Sequence, residues 1–93
     1  MRQDKRHRHK LQLFFEILCA IEEDRISTGM AKPTHVQHFS RLSYDKLMNH
    51  FTELEMKGMI YRDNNGLVSI TDRGQKYIKQ YAELITFVDN VSL

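Results

Sequence analysis

The sequence predicts a mainly α fold with one small β-hairpin and a long C-terminal helix, on three observations. Apolar residues recur at spacings of three and four near the start, the middle and the end of the chain, the period of amphipathic helices. Two short β-prone runs, Met59 to Arg62 and Leu67 to Ile70, flank Asp63-Asn64-Asn65-Gly66, and Asn-Gly is the strongest short hairpin signal. Ninety-three residues, 41% apolar and 28% charged, suffice for one folded core and leave no room for a second.

The first helix is read from Leu11, Phe14, Leu18 and Ile21, widened by Phe15 and Ile17, and is expected to end near Glu23. Asp24 to Lys32 holds Ser27, Thr28 and Gly29 without a sustained period and reads as a loop. Pro33, the only proline, suits the first turn of a short second helix, because the N–H it lacks would be unpaired there. Val36 and Phe39 are expected on the core side of that helix. Ser40-Arg41-Leu42 forms a tight break before Ser43, whose hydroxyl caps a third helix over 43–57. There Leu47, Phe51 and Leu54 share one face, and Gly58 supplies a left-handed C-terminal cap. The hairpin is expected to turn through Asn65-Gly66 as type I′, with a four-residue loop from Asp63 as the alternative. Thr71 caps a fourth helix that starts at Asp72, whose carboxylate suits the positive helix start, and runs to about Val91.

Two helices joined by a tight turn and followed at once by a hairpin describe a winged helix-turn-helix, here with a long C-terminal helix appended. Residues 1–10 then form a basic arm, 11–71 the winged helix and 72–91 a dimerisation helix. Charge follows this division. Arg2, Lys5, Arg6, Arg8 and Lys10 against Asp4 give the first ten residues +4, while the whole chain carries +2, so residues 11–93 carry −2. An arm of this kind is a phosphate-binding element or a solubilising tail.

With the third helix's apolar face inward, Asp45, Lys46, Asn49, Thr52, Glu53 and Met56 point outward at 100° per residue. Lys46 and Asn49 are the base-reading candidates, because lysine donates to guanine O6 or N7 and asparagine pairs bidentately with adenine. Lys32 and Arg41, at the ends of the second helix, and Arg62, beside the wing, are the phosphate candidates together with the arm. Tyr44 is expected to pack against the second helix and His50 to stand half exposed. Asp45 and Glu53 repel phosphate and confine the contact to the start of the helix.

Other chemistries find little support. His7 with His9, and His35 with His38, lack the cysteine or acidic ligands that would complete a metal site, so no metal or other cofactor is expected. Cys19 lies in an apolar stretch, no serine has a His/Asp constellation and there is no glycine-rich phosphate loop, so an enzyme is not expected. No apolar run approaches the roughly 18 residues of a membrane span, and the charged N-terminus is unlike a signal peptide. The expected setting is cytoplasmic and nucleoid-associated, without membrane contact.

On the fourth helix Tyr77, Tyr81, Leu84, Val88 and Val91 fall at spacings of four, three, four and three, a heptad seam flanked by Ile78, Ile85 and Phe87. A homodimer through this seam is the expected assembly, against a helix folded back on its own domain. Spacing alone leaves its sense, parallel or antiparallel, open.

Leu42-Ser43-Tyr44, the spaced Leu47, Phe51 and Leu54, Gly58-Met59-Ile60 and Thr71-Asp72-Arg73-Gly74 together resemble the archaeal winged-helix DNA-binding proteins of the 10a type, with Met59 where that family has leucine. The resemblance runs from about Leu11 nearly to the end. It implies an antiparallel coiled coil of C-terminal helices presenting two units to double-stranded DNA, in a transcription regulator or chromatin-associated factor. The acidic body of the chain and the carboxylates on the third helix favour a competing expectation, a protein-interaction module on the same scaffold.

Overall fold

The computed structural model describes residues 9–91. In chain order it contains α1 (Lys10–Thr28), α2 (Pro33–Ser40), α3 (Tyr44–Met56), β1 (Ile60–Arg62), β2 (Val68–Ile70) and α4 (Asp72–Val91). The strands form an antiparallel hairpin in which Ile60, Tyr61 and Arg62 face Ile70, Ser69 and Val68. Ala31 adds a single antiparallel bridge to Val68 through reciprocal hydrogen bonds of 2.6 and 2.9 Å, pinning the segment after α1 to the sheet. This is a winged helix with a long terminal helix, as the element order predicts.

One core joins these elements. Phe14, Ile17, Leu18 and Ile21 of α1 meet Val36, the α3 face of Leu47, Phe51 and Leu54, and Ile60, Val68 and Ile70 of the sheet. Burying each such side chain contributes about 1.5–3 kcal/mol. Leu13 and Ala20, off the predicted stripe, are also buried, whereas Leu11, which opens that stripe, is 50% exposed because the core begins one turn later.

Four expectations are corrected. The first helix does not stop near Glu23 but continues to Thr28, where Gly29 at φ +89° closes it by donating to Arg25 O. Its last turn has left the core, with Ile26 74% exposed, so no apolar period marks it; an Arg25–Glu22 pair at 2.7 Å lies along it. Phe39 does not face the core. It is 59% exposed, and Ser40 takes the inner place one turn after Val36, returning its hydroxyl to Gln37 O. Tyr44 is 48% exposed and not packed away as expected, since it opens α3 on the outward side. The hairpin is not type I′ but takes the alternative, a loop from Asp63. Among the described residues near the turn only Gly66 has positive φ, at +82°. Gly66 N–H donates to Asp63 O while Asp63 Oδ1 accepts from Asn65 and Leu67 N–H, an Asx-anchored loop ending in a left-handed glycine.

The predicted caps form. Ser43 Oγ accepts from Lys46 N–H at the start of α3. Thr71 Oγ1 accepts from Gly74 N–H at the start of α4 and donates to Gly58 O, fastening the end of α3 to α4. Gly74 allows this approach, since a Cβ there would lie on Met59 O and 2.6 Å from Ile70 Cγ1.

Candidate nucleic-acid interface

The outward face of α3 is set by its own burial pattern. Leu47, Phe51 and Leu54 are fully buried, which leaves Asp45, Lys46, Asn49, Thr52 and Met56 exposed along the opposite side. Neither the Lys46 ammonium nor the Asn49 amide makes a hydrogen bond or ion pair with another described residue. Their full donor and acceptor capacity faces outward.

Glu53, which sequence reasoning counts as repulsive, and its neighbour Glu55 are both paired with cations. Glu53 Oε2 takes Lys10 Nζ at 2.8 Å and Glu53 Oε1 meets His50 Nδ1 at 3.2 Å. The Lys10 hydrogen bond, with His50 adding to it, holds the Glu53 carboxyl below the usual carboxylate range. His50 is half-buried, its ring meeting Phe14 edge-on at 6.0 Å. Glu55 Oε1 accepts two hydrogen bonds from the Arg62 guanidinium, at 2.6 and 3.2 Å, and Arg62 also reaches Thr52 Oγ1. Two negative charges on the candidate face are thus matched by cations from α1 and β1. Asp45 stays exposed at the helix start.

These pairs divide the predicted phosphate residues. Arg62 is clamped onto α3 and sets the wing against it. Lys10 is committed to Glu53. Lys32 and Arg41 are exposed at the two ends of α2, and Arg41 sits in a left-handed turn at φ +60°. Asp24 positions the first of them: its Oδ2 accepts Lys32 N–H and its Oδ1 meets His35 Nδ1, both at 2.8 Å. The Lys32 backbone bond, then His35, hold the Asp24 carboxyl low. Lys57, exposed at the C-cap of α3, is a further cation that sequence reasoning missed; its place just before the capping Gly58 was the available signal. Arg2, Lys5, Arg6 and Arg8 lie outside the described residues.

Of the seam, Tyr77 and Tyr81 are half-buried against α1: Tyr81 stacks on Phe15 at 4.5 Å and Tyr77 Oη donates to Leu11 O. Burial pushes the Tyr77 phenol up. Beyond them Leu84, Ile85, Phe87 and Val88 are 57, 43, 62 and 46% exposed; the Val91 side chain lies outside the described residues. Cys19 is half-buried beside Glu16, Glu22 and Glu23, and burial first, those charges second, push its thiol up. No group of three metal-ligating side chains occurs among the described residues, and no helix among them is long and apolar enough to cross a membrane.

A family model described as winged helix-turn-helix matches residues 7–88, nearly the whole chain. No curated protein sequence matches it.

Proposed function

The chain belongs to the winged helix-turn-helix family, and from that membership we propose that it binds duplex DNA through α3, as a transcription regulator or chromatin-associated factor of the nucleoid. The observation that carries this reading is the outward face of α3, where Lys46 and Asn49 stand unpaired while Glu53 and Glu55 are held by Lys10 and Arg62. Lys46 and Asn49 read base edges; Lys32, Arg41 and the arm hold phosphates and set the register. Arg62 acts chiefly by fixing the wing.

Fluorescence anisotropy with labelled duplexes tests this, and absence of binding at low salt overturns it. On a preferred site Asn49→Ala is expected to cost about 1–3 kcal/mol without changing the salt dependence, because a base contact carries sequence information and no counterion release. The competing role, a protein-interaction module, draws on an open groove of about 310 Å³ beside the exposed Phe39, lined also by Phe15, Cys19 and Ala20. A protein inert to DNA leaves that role standing.

The same reading includes the 10a-type assembly, two copies joined by antiparallel α4 helices. Residues 72–79 hold Arg73, Lys76 and Lys79 against Asp72, whereas 80–91 hold Glu83 and Asp89 without a cation. Antiparallel pairing brings unlike halves together and parallel pairing brings like halves together. Replacing Leu84 and Val88 with aspartate is expected to give monomers in light scattering. A variant that remains dimeric would remove the seam from consideration.

A further inference from the structure

Leu11 heads the apolar stripe of α1 yet stays half exposed, and beside it lies a cavity of about 160 Å³ lined by Leu11, Tyr77, Gln80, Tyr81 and Leu84. Three of those residues belong to the α4 heptad seam, so the cavity opens on the face that the helical period alone assigns to a partner. We propose that this cavity is the socket for a second copy's α4, receiving its Leu84 and Val88, so that the dimer interface extends onto α1 and grips the root of the basic arm. The inference rests on the dimeric reading of α4 and adds to it where the partner helix docks.

The register follows from the seam. In an antiparallel pair centred between Tyr81 and Leu84, Leu84 of one copy comes opposite Tyr81 of the other and Val88 opposite Tyr77. Both incoming side chains then meet the walls of the cavity, and α1 contributes Leu11 as its far wall. The basic and acidic halves of α4 favour this sense. The area also suits a second copy. Leu11, Leu84, Ile85, Phe87 and Val88, each about half exposed, amount to roughly 400–500 Å² of apolar surface per copy. Two copies approach the roughly 1,000 Å² that a specific interface needs.

The socket has a consequence for DNA. Tyr77 Oη donates to Leu11 O, and the neighbouring Lys10 is paired with Glu53 of α3. The first turn of α1 therefore touches the dimer seam on one side and the candidate recognition helix on the other. A partner seated on Leu11 steadies the turn from which the arm departs.

Sedimentation velocity on the full chain tests the socket with Leu11→Asp, beside the parent and the Leu84→Asp/Val88→Asp double variant, with circular dichroism reporting the fold. The expected result is a dimer dissociation constant raised at least tenfold by Leu11→Asp at unchanged helical signal, with Leu11→Met close to the parent. Should the aspartate variant lose helical signal, Leu11→Gln provides the same comparison. Parent-like dimerisation of the Leu11 variant beside a monomeric double variant overturns the socket and leaves the seam intact. A monomeric parent, or a double variant as dimeric as the parent, overturns the dimeric reading and the socket with it.

Discussion

Neutralising Arg2, Lys5, Arg6 and Arg8 together is expected to flatten the slope of log K against log salt by about 3.6, since each phosphate neutralised releases about 0.9 counterions. Across a fourfold rise in salt that closes the gap between parent and variant by roughly a hundredfold. The loss should be equal on every duplex, so discrimination between sites survives. Lys10 belongs to a different experiment. It is paired with Glu53 at 2.8 Å, so Lys10→Gln is expected to act mainly by leaving that carboxylate uncompensated on the α3 face. Anisotropy titrations at four salt concentrations measure the slopes. Identical slopes for parent and arm variant would mean that the arm does not track the backbone, and would shift the phosphate role onto Lys32, Arg41 and Lys46.

Gly74→Ala is expected to destabilise the fold by about 3 kcal/mol or more, at the upper end of what overpacking costs. The new methyl meets Met59 O and the Ile70 side chain. Met59 O cannot withdraw freely, because it accepts the Thr71 N–H at 3.1 Å, next to the hydroxyl that ties Gly58 to α4. Gly66→Ala makes a useful contrast. Its surroundings are open and only its φ of +82° opposes a side chain, so a loss of about 1–2 kcal/mol is expected there. For a domain of this size 3 kcal/mol lowers the melting temperature by roughly 12–24 °C. A Gly74→Ala protein melting within a few degrees of the parent would contradict the close approach of α4 to the sheet.

Where signals were local, they were legible. Ser43 and Thr71 announce their helices because a hydroxyl caps the N–H groups two or three residues on, whatever the rest of the chain does. Gly58 ends α3 because a left-handed residue is cheapest without a Cβ. The outward positions Lys46 and Asn49 follow from the periodicity of Leu47, Phe51 and Leu54. Legibility failed where a residue's partner is distant. Phe39 and Ser40 are consecutive, and apolarity favoured the phenylalanine for the interior. The close seating of α2 on the core instead left room for the small serine, which keeps its hydroxyl on Gln37 O. The tail of α1 was invisible because Ile26 is 74% exposed and outside the core, and the Ala31 bridge to Val68 joins residues with no local sign of each other.

Element order, caps, hairpin position and the inward face of α3 were therefore determined by the sequence alone, since each depends on neighbours within a turn or two of helix. The electrostatic character of the candidate interface was decided only in three dimensions. Counted along the chain, Glu53 is a repulsive charge, and Lys10 and Arg62 are free cations. Folding brings Lys10 across 43 positions to Glu53 and Arg62 across seven to Glu55. Charges act through distance in space, and that distance is set by how α1 and β1 pack around the shared core.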